Sequence, residues 1–476
     1  MERVTKHRIL NTLPLVFVLF GCLLRLLVMT DNRSFFLDEA NLARNVIEKT
    51  YPQFFASLDY DQYAPPLFLV ESKLFVSVLG SYDYVFRLLP FICAVLSLFL
   101  LWRLVVKWQF SIASQIYTIG LFSLSELAIR YGTEFKQYSS DVLIALLLIW
   151  WASDEEDGQL TLPRMVFWTF VGSLVIWYSM PSVFILAGVG CYFLSRFKSK
   201  SNLRGLFVLG TVWLLSFGVY YLLILRQGIS NASLQNFHDD YFVSLLPLNA
   251  QNYTANLDIV VSLFRSILDK TTLFIVFGML LFSYGVYTCF NNSRSRFFLV
   301  GVPIIVVLAA SSLRLYSLIP RMTLFIMPSF ILLIGMGVDR FWNSSPLWKR
   351  ALLGVLLLVS LVNKKGYQTL IHSLDYGDTK QMLQYLQDNI LPSESVYVHH
   401  ELVPSYYFYT ELATDSYEVV GGYMGHWSEK ELRDAYDYIM WGYPPDDKSS
   451  LLSQKYPDLA CDILLETKRV GLHKCN

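Results

Sequence analysis

The feature that most constrains this chain is a succession of long apolar runs separated by short polar stretches. The first, Ile9 to Thr30, carries a single charge, Arg25, near its far end. Further runs occupy roughly 85–106, 110–130, 135–151, 165–180, 181–197, 205–225, 271–289, 297–313, 322–339 and 348–363. A helix needs about 20 apolar residues to cross the hydrocarbon core, so the pattern predicts about eleven spans. Two are short and meet in a tight hairpin at Trp177-Tyr178-Ser179-Met180-Pro181. Lipid offers no partner for backbone polar groups, so such runs fold as helices. Composition agrees: 54% of residues are hydrophobic and 16% charged, against roughly a quarter charged in soluble domains. The expected fold class is an all-α polytopic membrane protein.

Charge orients it. Arg3, Lys6 and Arg8 place the N-terminus in the cytoplasm. The first run is too long for a signal-peptide core and no small-residue cleavage site follows, so it is expected to stay as a span. Arg103 and Lys107, Arg164, Arg196 to Arg204, Arg294 and Arg296, and Arg340 to Arg350 then fall in alternate loops, on the same side. Asp154-Glu155-Glu156-Asp157 lies on that side too, but acids weigh little in the rule. The outside face receives loop 31–83, loop 227–270 and a tail. This predicts a transmembrane domain over 1–363 and an extracytoplasmic domain over 364–476. Lys+Arg and Asp+Glu balance at 38 each, so nothing in the charge points to nucleic acid.

The outer segments have their own grammar. In loop 31–83, Asn41 to Glu48 looks helical. Ala64-Pro65-Pro66-Leu67 starts a second helix, ending near Gly80, with proline favourably placed in its first turn. Glu71 and Lys73 suit that helix to the interface rather than to a span. The tail predicts a helix over Thr379–Asn389, strands at Glu394–Val398 and Tyr417–Val420, and an amphipathic helix over Glu429–Met440, hence a small α/β domain. Cys22, Cys93, Cys191 and Cys289 lie in apolar runs, where cysteine is a small hydrophobe. Cys461 and Cys475 flank the polar tail and could pair in an oxidising compartment. No Cys/His spacing suits zinc. His399-His400-Glu401 looks like a metal cluster, but neighbours in a strand point to opposite faces. His426 beside Trp427 suits a loop. Asn231-Ala-Ser and Asn252-Tyr-Thr are glycosylation-type triplets on expected outer loops.

Polar groups collect at the outer membrane edge. Asp38 and Glu39 follow the first span. Arg130, Glu134, Lys136 and Tyr138 lie in the next outer turn, His238, Asp239 and Asp240 on a third segment, and Arg314, Tyr316 and Arg321 on a fourth. Each has a plainer reading: the acid pair could cap the helix that follows, Arg130, Lys136, Arg314 and Arg321 could reach to headgroups, and Glu134 could pair with Arg130 or Lys136. Their gathering on one face suits sugar transfer from a lipid-linked phosphate. The leaving phosphate needs fixed cations, and the acceptor hydroxyl needs a carboxylate base. A transporter or flippase would call for charge near mid-span and inverted repeats; the runs carry almost no such charge and no repeat is evident.

In Phe36-Leu37-Asp38-Glu39-Ala40, Ala64-Pro65-Pro66-Leu67-Phe68, Glu134-Phe135-Lys136-Gln137-Tyr138 and Arg321-Met-Thr-Leu-Phe325-Ile-Met-Pro328, the chain resembles GT-C membrane glycosyltransferases. The likeness is to the family 39, protein-O-mannosyltransferase-like group, to which aminoarabinose transferases are related. It spans roughly residues 9 to 340 in order and spacing. The resemblance implies an inner-membrane enzyme acting on the extracytoplasmic face, with a polyprenyl-phosphate-sugar donor and a glycan, lipid or protein acceptor. It implies Asp38 as base and Glu39 supporting acceptor or helix geometry. Lys136 and Arg321 would hold the donor phosphate, with Arg130 and Arg314 as further candidates and Glu134 and Tyr138 in support. Lysine stands at 136 where the group has arginine, which replaces a bidentate fork by a point charge. Some members of the group bind a divalent metal; no ligand set beyond the acids near Asp38 is visible in the sequence. An inactive scaffold of the same fold is the remaining alternative.

Overall fold

The computed structural model describes residues 2–155, 160–226, 238–247, 249–268, 271–362, 378–420, 422–425, 436–442, 452, 456, 459, 461–467 and 470–475. In chain order its helices are α1 (Glu2–Thr30), α2 (Leu37–Glu48), α3 (Pro66–Leu79), α4 (Asp83–Lys107), α5 (Ile112–Ser123), α6 (Glu126–Tyr131), α7 (Tyr138–Ala152), α8 (Leu162–Tyr178), α9 (Ser182–Arg196), α10 (Lys200–Tyr220), α11 (Ala250–Leu268), α12 (Thr272–Asn292), α13 (Arg294–Ser312), α14 (Met327–Ser344) and α15 (Leu347–Val362). Among the described residues, Thr12–Thr30, Asp83–Lys107, Lys200–Leu225, Thr272–Asn292, Arg294–Ser312 and Leu324–Ser344 are long and apolar enough to cross a membrane, and α5, α7, α8 and α9 are shorter apolar helices. The molecule is an all-α membrane protein with a small C-terminal sheet.

Helix α14 lies at the centre: 83% of its apolar window is buried. It meets α12 backbone to backbone. A Cβ on Gly337 would fall 2.1 Å from Leu281 O, and one on Gly285 1.8 Å from Leu333 O, so only glycine permits this crossing. The charge inside α1 is also accounted for. Arg25 is fully buried and donates to the carbonyls of Gly21 (3.0 Å), Ser123 (3.2 Å) and Phe122 (3.3 Å). The last two end α5, where carbonyls lack helical partners and a cation is favoured.

Outside the bundle, α2 and α3 follow one another in the first outer loop. Helix α3 has 14 residues, about 21 Å, too short to cross. Lys73 Nζ donates to the carbonyls of Val46 (2.7 Å), Ile47 (3.2 Å) and Lys49 (2.6 Å), closing the C-terminal end of α2. The tail contributes α16 (Thr379–Asn389), α17 (Val403–Tyr407) and strands β1 (Ser395–Val398), β2 (Gly422–Gly425), β3 (Tyr438–Gly442), β4 (Cys461–Glu466) and β5 (Val470–Cys475). The strand order is β2-β1-β3-β5-β4. Strand β1 runs parallel to β2 and β3, and β5 antiparallel to β3 and β4. Phe35, Ala40, Ala43, Phe68 and Phe86 share one apolar cluster with Met382, Leu386, Val398, Tyr406 and Phe408. The first outer loop and the tail therefore bury their apolar faces against each other.

The structure departs from sequence expectation in five places. The run 110–130 is two helices, because Ser125 Oγ accepts the Ala128 N–H (3.3 Å) and caps a new one, α6. Loop 227–270 contains α11. Its polar face, with Asn252, Asn256 and Asp258, dilutes the apolar face of Ile259, Leu263 and Ile267 that packs inward. Tyr417–Val420 is not a strand; the chain pairs only from Gly422 onward. Tyr438–Met440, expected at the end of a helix, begins β3, wholly buried between β1 and β5. His399 and His400 lie beyond β1, where strand alternation no longer applies, and their rings are 4.2 Å apart. Cys461 and Cys475 form a disulfide across β4 and β5. Glu156-Asp157, Asn231, His426, Trp427 and the first part of 429–440 lie outside the described residues.

Candidate active site

The site forms where four outer segments meet. The first carries Asp38 and Glu39 in the first turn of α2, with no side-chain hydrogen bond to the cap. Helix geometry sends these neighbours in different directions. Glu39 turns inward and is 2% exposed. Arg87, on α4, grips it with Nε to Oε1 and Nη2 to Oε2, both at 2.9 Å. The Phe135 N–H donates to the same carboxylate at 2.8 Å. Burial opposes ionisation of Glu39, but the charge and hydrogen bonds of Arg87, with Arg33 and the Phe135 N–H, together hold the carboxyl below its usual range. Glu39 thus ties α2, α4 and the turn before α7 together.

Asp38 turns outward, about one-third exposed. Arg321 Nη1 lies 3.2 Å from its Oδ2. Lys136 exerts the largest influence on the carboxyl, which Lys136 and Arg321 together keep below its usual range despite burial. Lys136 lies in the turn before α7, 6% exposed, and donates to Gln62 Oε1 at 2.7 Å. Gln62 also lies close enough to Asp38 to help hold its carboxyl down. Burial lowers the Lys136 ammonium, with Asp38 opposing and Arg321 reinforcing that shift.

The other sequence candidates divide. Tyr138 and Glu134 are in electrostatic reach of Arg321, as is Asp38. Tyr138 packs edge-on to Tyr131 at 4.9 Å. Arg130 joins the group through Glu134, Nε to Oε2 at 3.0 Å. Arg314 is on an exposed turn at φ 58°, paired with Asp239 and set over the Phe242 ring; the structure does not bring it to Asp38. His238 is in electrostatic reach of Arg321, and burial, with that charge, lowers the imidazole.

Sequence reasoning missed the supports. Arg87 reads as one more cation at the end of a span, and Gln62 has no signature at all. Nor is the tail's hold on the segment before Asp38 visible. The Phe35 N–H donates to Tyr409 Oη (2.6 Å), Ser405 Oγ donates to Phe35 O (2.8 Å), and the Lys380 N–H donates to Ser34 Oγ (3.0 Å). Tyr409 Oη in turn donates to Asp83 (3.2 Å), which also receives Lys380 Nζ (2.7 Å).

A divalent metal does not fit this donor set. Glu39 is committed to Arg87 and Glu134 to Arg130, and the neighbours of Asp38 are cations that would repel a second one. Among the described residues no three His, Cys, Asp or Glu side chains group as ligands.

Asp38, with Arg321 and the buried Lys136 beside it, sits at the segment that joins the helical bundle to the small sheet domain. Solved structures share this fold. The apo structure of ArnT from Cupriavidus metallidurans is similar over 96% of this chain and 97% of that one, with TM-score 0.53 and 11% identity. An Archaeoglobus fulgidus oligosaccharyltransferase, solved with Zn and sulfate, is similar over 90% of this chain and 68% of that one, with TM-score 0.51 and 12% identity. At such identity the likeness is one of fold. No protein-family model matches the chain, and no curated protein matches it in sequence.

Proposed function

We propose that the protein is an inverting glycosyltransferase that moves a sugar from a polyprenyl phosphate to a glycan, lipid or protein acceptor on the extracytoplasmic face of the cell membrane. The observation that carries this reading is the Asp38–Arg321 contact at 3.2 Å with buried Lys136 beside it. One group in that cluster is an ionised acceptor of protons and two are fixed cations. In the reaction, an acceptor hydroxyl oxygen attacks the anomeric carbon while the bond from that carbon to the phosphate oxygen breaks. Asp38 takes the hydroxyl proton. The polyprenyl phosphate leaves with the electron pair, and Lys136 and Arg321 hold the charge it gains. Arg321 has five N–H donors in a fork, enough to meet both Asp38 and a phosphate. Glu39 positions the machinery and does not touch substrate.

The GT-C fold and the order of motifs support this reading, and one of the structural neighbours is named an oligosaccharyltransferase. The disulfide supports an oxidising, extracytoplasmic setting for the tail, and with it a division near residue 363 into a membrane domain and an outer domain. The test uses purified protein with a polyprenyl-phosphate hexose. Asp38→Asn should abolish transfer and keep carrier binding, whereas Arg321→Ala should weaken binding of sugar-free polyprenyl phosphate. Wild-type turnover by Asp38→Asn would remove the base, and unchanged carrier affinity in Arg321→Ala would remove the phosphate site.

A further inference from the structure

One polar group inside the bundle has no part in the chemistry above. Asp141 lies in α7, three residues past Tyr138, and is 5% exposed. Its Oδ1 has no hydrogen-bond partner. Ser179 approaches the carboxylate without reaching hydrogen-bond geometry. The Oγ atoms of Ser179 and Ser182, in the hairpin between α8 and α9, and Gln137 Oε1 are likewise buried and unpartnered. An ionisable group in a membrane helix is costly and points to a function, and the unpartnered Ser179 Oγ near its carboxylate compounds the cost. Asp141 does fall in the first turn of its helix, where an acid suits the dipole. That accounts for an acid near the helix end, but not for the unmatched serine, Ser179, near it.

The surroundings identify the ligand. Tyr63, Tyr220 and Tyr316 are in electrostatic reach of Asp141, and the Tyr63 and Tyr220 hydroxyls hydrogen bond each other. Two of these lead back to the site. Tyr63 follows Gln62, which bonds Lys136. Tyr316 Oη donates to Met322 O at 2.6 Å, next to Arg321. Asp141 is about 4.5 Å along the helix axis from Tyr138, the scale of one sugar ring. A prenyl tail here would leave every polar atom unmatched. Ring hydroxyls can both donate to the carboxylate and accept from serine and tyrosine hydroxyls.

We propose that Asp141, with Ser179, Tyr63 and Tyr316, is the subsite that recognises the ring hydroxyls of the transferred sugar. The inference rests on the donor reading above. A sugar whose phosphate is held by Lys136 and Arg321 extends inward to Asp141, so the phosphate gives affinity and Asp141 gives sugar identity.

The test is equilibrium binding to the full chain in nanodiscs, with sugar-free polyprenyl phosphate and the polyprenyl-phosphate forms of glucose, galactose and mannose as probes. The wild type should prefer at least one sugar-bearing probe over the sugar-free carrier by about tenfold or more, the worth of a hydrogen bond to a charged group. Asp141→Ala should lose that preference and bind sugar-free carrier as the wild type does. Ser179→Ala should reduce it in the same direction, and carries the same criteria should Asp141→Ala not fold. The proposal is overturned if the preference survives substitution, if sugar-free and sugar-bearing probes weaken equally, or if the wild type shows no preference. Failure of the wild type to bind any carrier would overturn the donor reading itself, and the subsite with it.

Discussion

Replacing Glu39 by glutamine keeps the side chain's size and removes its charge. Arg87 would then remain 2% exposed with neutral acceptors only, the carbonyls of Arg33 (2.6 Å) and Ser34 (3.2 Å) and the amide oxygen in place of Oε1, while its Nη2 would face the amide NH2. Breaking a buried pair from one side costs about 3–5 kcal/mol, because the other charge is left uncompensated. Glu39→Met removes in addition the acceptor of the Phe135 N–H, a further cost of about 1–3 kcal/mol. Substituting both partners, Glu39→Met with Arg87→Met, takes away the stranded charge and leaves chiefly that N–H, so the deficit should return to about 1–3 kcal/mol. The order of stability should be wild type, double variant, Glu39→Gln, Glu39→Met. Unfolding by SDS titration in mixed micelles measures it. If Glu39→Gln unfolds within about 1 kcal/mol of wild type, or the double variant is no better than Glu39→Met, the buried pair does not hold the site as argued.

With Asp38 as the proposed base, transfer should depend on pH through its carboxyl, which is held below the ordinary 3.8 chiefly by Lys136. Its folded value is depressed, so the stabilisation is present above 3.8 and lost as pH falls through the lower folded value. The acid limb of the rate profile should lie below the ordinary carboxylate range, and Lys136→Met should move it up, since burial is then opposed only by Arg321 and Gln62. An unmoved limb would dissociate Lys136 from Asp38. For the tail, alkylation of the unfolded, unreduced chain should block Cys22, Cys93, Cys191 and Cys289, and all six thiols only after reduction. Cys461→Ser should destabilise the outer domain by about 3 kcal/mol, as expected for a closed loop of this size; full alkylation without reductant would rule out the bond.

Much of this molecule is legible along the chain, and the reason is physical. A span must be apolar over its whole length, so Asp83–Lys107 and Thr272–Asn292 show themselves within a few residues of their true ends. Helix α11 does not, because its polar face balances its apolar one. Strand β3 could not be read at all: Tyr438–Gly442 becomes a strand because β1 and β5 flank it, and those neighbours arrive from elsewhere in the chain.

The same divide runs through the site. By itself the sequence placed an acid pair, Asp38 and Glu39, and the cations Lys136 and Arg321 at the ends of apolar runs, because a charge facing lipid is costly. It could not tell the two acids apart, since both suit a helix start. Only the tertiary structure decided that, by placing Arg87 and the Phe135 N–H on one side of α2 and Lys136, Gln62 and Arg321 on the other. Neighbours in a helix point about 100° apart, so one carboxylate became a buried tie and the other stayed open. Which way each turned depended on α4, α7 and the tail, brought together only by folding.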